Sequence, residues 1–276
     1  MVIQSINLSV NQQNFDLPVA ILCGGKGTRL REETEFRPKP MINVGNRPII
    51  WHIMKTYSYY GLRNFMLCLG YKGEMIREYF FNYDWNHSDI LLELGTKQIT
   101  TLNNRHDEET WRIWLVDTGQ ETMTGGRLKR LSTYLDQMGS DIFLATYGDG
   151  VCDVNIAALL DFHYSHGKLA TITAVRPASR FGELVIEDHL VSYFQEKPQT
   201  SQGWINGGYF VFARKVLDLI EGDDTVFEEQ PLKNLAALGE LAVYKHDGFW
   251  QCMDTYREME LLKNLYESGQ ARWKVW

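Results

Sequence analysis

The chain reads as an α/β protein: a mostly parallel mixed sheet flanked by helices, with a small antiparallel excursion. Three observations lead there. Continuous apolar runs at residues 65–69 and 142–147 have strand length and lack polar alternation, so both of their faces must be covered. Other segments repeat apolar residues at helical spacing: Ile49, Ile50, Ile53, Met54 and Tyr57, then Leu128, Leu131, Tyr134, Leu135 and Met138. The two patterns alternate along the chain, the order expected when helices cover a parallel sheet.

In chain order, residues 1–17 are polar and Asn/Gln-rich and form an N-terminal extension, while 18–276 form one domain without a linker or repeat. Residues 19–23 are the first strand. Asn46 caps a helix with Pro48 in its first turn and Gly61 at its end. Residues 75–81 form a helix. Segments 90–94, 98–102 and 111–116 make the antiparallel excursion, with the charged tip 107–109 in solvent. Asn155 opens a helix running through His163, residues 170–175 form a strand, and further strands fall near 184–186, 191–195 and 209–212. A last helix starts at Tyr256.

With 276 residues, 44% of them hydrophobic and 13% aromatic, the chain can fill a substantial core. A net charge of −7 argues against broad nucleic-acid or anionic-membrane binding, but not against a phosphate ligand held by local cations. Cys23, Cys68, Cys152 and Cys252 are widely spaced and form no C-x-x-C pair, as in a reduced cytoplasmic protein with buried thiols. No apolar stretch approaches membrane-spanning length, and the N-terminus has no signal-peptide plan. His163 and His166, ended by Gly167, read as a surface pair rather than a metal site, since no third ligand is in view. Trp85, Trp111 and Trp114 are candidates for a subunit interface.

The chemistry-bearing stretch is 19–41. A short apolar strand leads into Gly24-Gly25-Lys26-Gly27-Thr28-Arg29-Leu30, and Pro38-Lys39-Pro40 follows. Glycines let main-chain N–H groups approach phosphate oxygens, and fixed cations spread the charge. The lysine precedes the third glycine, so the Walker pattern fails; Leu30 stands where a dinucleotide fingerprint needs a small residue. Ligands of such sheets bind at the carboxyl ends of strands, and both Cys23/Gly24 and Tyr147/Gly148/Asp149 sit there.

The run from Gly24 to Leu30, followed by Pro38-Lys39-Pro40-Met41, resembles the signature of the sugar-1-phosphate nucleotidyltransferases, the nucleotide-sugar pyrophosphorylases. The resemblance continues through Thr122–Arg130, Tyr147-Gly148-Asp149-Gly150, Arg180-Phe181-Gly182, Phe194–Pro198, Ile205–Gly208 and Phe249–Thr255, covering residues 18–276. Thr124-Gly125-Gly126-Arg127-Leu128 and the Trp250-x-x-Met253-Asp254-Thr255 ending lean towards its cytidylyl branch. It implies a Rossmann-like sheet of the nucleotide-diphospho-sugar transferase type, CTP (or another pyrimidine triphosphate) and glucose 1-phosphate as substrates, Mg2+ as cofactor, and a homo-oligomer such as the hexamers of close relatives. Arg29, Lys39, Asp149 and Lys197 would be the catalytic residues. Nucleotide contacts would come from Leu22, Gly24, Gly25, Lys26, Gly27, Thr28, Arg29, Lys39, Thr122, Arg127 and Gly148. Gly182, Glu196, Lys197, Asn206 and Gly207 would hold the sugar phosphate, and Asp149 and Asp254 the metal. An arginine can donate to a cytosine carbonyl, but the cytosine amino group needs an acceptor that the sequence does not reveal.

Rival readings are a uridylyl- or thymidylyltransferase, and a regulatory subunit that binds nucleotide sugars without catalysis. The set Arg29, Lys39, Asp149, Lys197 and Asp254 argues against the second. A nicotinamide-dependent dehydrogenase lacks its glycine pattern here.

Overall fold

Strands that must hide both faces become the middle of a sheet, and that is where the apolar runs lie. The structure, a computed structural model, describes residues 17–83, 88–103, 110–177, 183–187, 190–195 and 203–276; for 103, 183–187 and 190–195 it describes the backbone alone. The strands are β1 (Pro18–Leu22), β2 (Asn43–Val44), β3 (Arg47–Pro48), β4 (Asn64–Leu69), β5 (Asp89–Glu93), β6 (Gln98–Asn103), β7 (Arg112–Asp117), β8 (Ile142–Tyr147), β9 (Gly150–Cys152), β10 (Ala170–Val175), β11 (Glu183–Glu187), β12 (Leu190–Gln195), β13 (Ile205–Ala213), β14 (Leu241–His246) and β15 (Trp250–Cys252). Seven of them form the main sheet in the order β14-β10-β13-β8-β1-β4-β7. Only β13 runs against its neighbours; β1, β4, β7 and β8 are mutually parallel, so their carboxyl ends share one edge.

Alternation along each strand feeds two cores. Val19, Ile21, Phe65, Leu67 and Leu144 pack on one side with the helix Ile49–Tyr59 and Trp273. Ala20, Met66, Cys68, Phe143 and Ala145 pack on the other with Leu128, Leu131, Leu135 and Phe227. Truncating a fully buried member such as Phe65 would cost about 3–5 kcal/mol.

Several elements differ from the sequence reading. β7 is not part of the antiparallel excursion but pairs in parallel with β4, Phe65 opposite Ile113, while β5 and β6 form the antiparallel hairpin. Asn46 does not cap a helix. It lies in the turn between β2 and β3 and accepts a hydrogen bond from Tyr266 (3.0 Å), and the helix begins after Pro48. Apolar spacing over 128–138 covers two short helices, Thr124–Lys129 and Ser132–Met138. His163 is buried rather than superficial: its Nδ1 and the His166 Nε2 both meet Thr171 Oγ1 at 2.8 Å, and burial pushes the His163 pKa down to about 4. Trp111 and Trp114 pack on Phe65 and Tyr134 of their own chain and remain partly exposed. The extension 1–16, Trp85 and the 107–109 tip lie outside the described residues. All four cysteines are free, three of them buried. Among the described residues, no helix is long and apolar enough to cross a membrane.

Candidate active site

β1 and β8 lie side by side, Leu22 opposite Tyr147, and both chains break away at the same edge. The Gly148 N–H donates to Leu22 O at 3.0 Å, holding the two exits together. Between them opens a cleft of about 220 Å³ whose walls include Leu22, Gly24, Gly25, Gly27, Lys39, Thr122, Thr124, Arg127, Tyr147, Gly148 and Asp149. A second cleft of about 250 Å³ is walled by Arg29, Tyr147, Asp149, Asn206, Gly207, Tyr209, Trp250 and Asp254, among others. Tyr147 and Asp149 line both.

The two aspartates meet because β9 and β15 pair, with Gly150 opposite Cys252. That register puts the Met253 N–H on Asp149 O at 2.8 Å, so Asp149 and Asp254 share one corner. Asp254 is steadied by the helix behind it. Thr255 caps Tyr256–Glu267 in a reciprocal box with Glu258, whose Oε2 also takes the Asp254 N–H at 2.9 Å.

Lys39 reaches this corner from a short 3-10 turn set by Pro38 and Pro40. Its Nζ lies 2.9 Å from Asp149 Oδ2 and 2.6 Å from Asp254 Oδ1. Burial works to lower the Lys39 pKa, but the charges and hydrogen bonds of the two aspartates outweigh it, and the net shift is upward. Arg29 pairs with the other oxygen of Asp254 at 2.7 Å while remaining 73% exposed, so the corner is charge-balanced with one cation buried and one at the surface.

Arg127 is used differently. Nη1 donates to Leu69 O, Thr118 Oγ1 and Gly119 O (2.7–3.1 Å), and Nη2 to Gly24 O and Gln120 O (3.1 and 3.3 Å). It is 4% exposed, and burial lowers its pKa. The guanidinium therefore clasps the ends of β1 and β4 to the loop after β7. A Cβ on Gly24 would stand 2.1 Å from its Nη1, which is why a glycine is required there. Gly27 has φ +63 and opens the 3-10 turn Thr28–Leu30, a conformation that costs other residues energy.

The Nucleotidyl transferase family model matches residues 19–253. The chain belongs to the nucleotidyl transferase family. It is 49% identical over 260 residues to the glucose-1-phosphate cytidylyltransferase of Salmonella typhi, covering 94% of this chain and all (100%) of that one. It is 46% identical over 261 residues to the probable glucose-1-phosphate cytidylyltransferase of Bacillus subtilis (strain 168), with 94% and 100% covered. The crystal structure of HddC from Yersinia pseudotuberculosis superposes with a TM-score of 0.66 at 20% identity, covering 91% of this chain and 99% of that one, a likeness of fold. The family membership and the α/β architecture expected from the sequence are thus both borne out.

In this nucleotidyl transferase, Leu22, Gly24, Gly25, Gly27, Lys39, Thr122, Arg127, Gly148 and Asp149 gather in the first cleft. Arg29, Asn206, Gly207 and Asp254 gather in the second. Lys26 and Thr28 are exposed and line neither; Lys26 pairs with Glu121 at 2.8 Å. Gly182, Glu196 and Lys197 lie outside the described residues. Residues to which the sequence reading gives no role in the site, although they stand in its motifs, include Tyr147, directly before Gly148-Asp149 and in the walls of both clefts. Trp250 is another: its Nε1–H donates to Gly207 O at 2.7 Å, and it belongs to the same segment as Asp254. Glu228, which takes hydrogen bonds from Tyr147 and Thr124, carried no sequence signal.

Proposed function

We propose that this chain transfers a cytidylyl group from CTP to glucose 1-phosphate, forming CDP-glucose and releasing pyrophosphate. The observation that carries the reading is the corner where two clefts meet over Asp149, with Lys39 bridging Asp149 to Asp254. The names of the relatives that are 49% and 46% identical support the choice of base and sugar. The first cleft would take the triphosphate and the second the sugar phosphate.

A phosphate oxygen of the sugar attacks the α-phosphorus. The new P–O bond forms as the bond to the bridging oxygen of the β-phosphate breaks, and pyrophosphate leaves with that electron pair. The attacking oxygen is already anionic, so no general base is needed, and the work is positioning and charge neutralisation. Asp149 and Asp254 fit Mg2+: two carboxylates of hard oxygen donors share one corner, and glycines beside Asp149 leave room for phosphate. Bound there, the ion would supply Lewis-acid neutralisation of phosphate charge. Lys39 keeps the two carboxylates oriented. Arg29, in the wall of the second cleft and paired with Asp254, would reach across the shared corner to neutralise the triphosphate and the departing pyrophosphate. The Gly25–Thr28 amides would hold the β and γ oxygens, with Lys26 at the rim. In this reading Lys197 binds the phosphate of the sugar phosphate, and Gly182, Glu196, Asn206 and Gly207 its hydroxyls. The protein acts in the cytoplasm as a homo-oligomer.

The test is a matrix of CTP, UTP, dTTP and other triphosphates against hexose 1-phosphates, with and without Mg2+, read by pyrophosphate release. CTP with glucose 1-phosphate and Mg2+ should give the strongest signal. Preference for UTP or dTTP would move the base assignment, and no release with any pair would favour a regulatory role. Lys197→Ala should raise KM for the sugar phosphate; an unchanged KM would remove Lys197 from the site.

A further inference from the structure

CTP and UTP differ at two neighbouring positions of the base edge: at N3, an acceptor in cytosine and an N–H donor in uracil, and at position 4, where cytosine carries an amino donor and uracil a carbonyl acceptor. A protein group can separate them only if it cannot exchange the roles of donor and acceptor. Two obvious candidates in the first cleft are spent. Gly24 O already accepts from the Tyr71 N–H (3.2 Å) and from Arg127 (3.1 Å), and the four Nη hydrogens of Arg127 are taken by protein oxygens.

Thr124 is different. It lines the first cleft at the start of the helix Thr124–Lys129. Its hydroxyl donates its one proton to Glu228 Oε2 at 2.6 Å and accepts the Phe227 N–H at 2.9 Å. One lone pair is left, and no proton. A free hydroxyl rotates to suit either base; this one is locked as an acceptor. The lock is built from two sides. Tyr147 OH donates to the other carboxylate oxygen of Glu228. The Met123, Gly125 and Gly126 N–H groups bond to Asp223 O and Thr225 O at 2.8, 2.9 and 3.3 Å, stitching the segment that carries Glu228 to the helix start.

Resting on the proposed cytidylyl transfer, we propose that Thr124 selects the base by accepting from the 4-amino group of cytosine, and that Glu228 is the positioning residue that keeps it from donating to uracil. An acceptor facing uracil O4 leaves two oxygens opposed and unpaired, which penalises UTP rather than merely failing to reward it.

The experiment measures kcat/KM for CTP and UTP by pyrophosphate release in wild type, Thr124→Val, Thr124→Ser and Glu228→Ala, with thermal melting to show that each is folded. Thr124→Val should cut the CTP-to-UTP ratio about tenfold or more, by weakening CTP and by removing the opposed oxygen that penalises UTP. Thr124→Ser should keep the ratio within about threefold, since serine retains the locked oxygen. Glu228→Ala frees the Thr124 proton and should raise UTP use relative to CTP, a change that loss of packing alone would not produce. If Thr124→Val and Glu228→Ala leave the ratio unchanged in a folded protein that prefers CTP, the inference is overturned while the proposed function stands. If wild type releases no pyrophosphate from CTP, it is the functional reading that fails.

Discussion

Replacing Lys39 by methionine removes one charge and little volume. Lys39 Nζ lies 2.9 Å from Asp149 Oδ2 and 2.6 Å from Asp254 Oδ1, so these two oxygens can be no further apart than the sum of those distances, 5.5 Å. Two negative charges at that separation repel by about 3 kcal/mol at an effective dielectric constant of ~20. The aspartate side chains are 27% and 19% exposed, so water screens the repulsion only in part. Arg29 still pairs with Asp254, so the expected loss is up to about 3 kcal/mol, a fall of up to roughly 6 °C in Tm for a chain of this size. The sign with pH follows from the raised Lys39 pKa. Its stabilisation is fully present below the ordinary lysine value and fades only as pH rises through the higher folded value, so wild type holds it whole near neutrality. In the variant Arg29 still pairs with Asp254 at 2.7 Å, and a bound cation relieves what remains of the repulsion between the two carboxylates. The deficit relative to wild type should therefore narrow on adding Mg2+. Thermal melts of both proteins near neutral pH, with and without Mg2+, read this directly. A variant that melts within about 1 °C of wild type at neutral pH, or whose deficit is the same with Mg2+ as without it, would refute the account of the corner.

Asp149→Asn should lower turnover by about a hundredfold or more while Tm moves only a few degrees; full activity would remove Asp149 from the chemistry. Gly24→Ala drives a methyl into the Arg127 guanidinium and should cost on the order of 3 kcal/mol in denaturant unfolding, with weaker triphosphate binding; a wild-type midpoint would mean that the clasp is dispensable. His52 and His163 are both held neutral by burial, their pKa values lowered to about 4. The unfolded chain protonates them near the ordinary histidine value, so stability should fall as pH drops from about 6.5 to about 4, by up to about 3 kcal/mol for each. Denaturant midpoints that stay flat across that window would contradict their burial as neutral rings.

How much could be read in advance depended on how local each feature is. β4 and β8 were legible because a strand covered on both faces writes its burial as an unbroken apolar run. The parallel pairing of β7 is not legible in its own residues, which do not write their partner; the pairing of Phe65 with Ile113 is decided by what packs beside β4. Asn46 looked like a cap by type, but the chain turns at Gly45, with φ +64, and the side chain is taken by Tyr266, 220 residues away. β9 and β15, three residues each, are too short to leave a periodic signal, yet their register is what brings the two aspartates together.

By itself the sequence determined the family, the α/β architecture and the glycine run, because strand length, a backbone free to take positive φ and a cation held between prolines are properties of neighbouring residues. Tertiary structure alone decided what those residues do to one another. It placed Lys39 between aspartates 110 and 215 residues further along, spent Arg127 on carbonyls at the strand ends, and turned Thr124 into an acceptor through a glutamate 104 residues away. The reason is physical: whether a hydroxyl donates or accepts, and whether an arginine is free, depends on which partners lie within about 3 Å after folding, and residue type sets only what is possible.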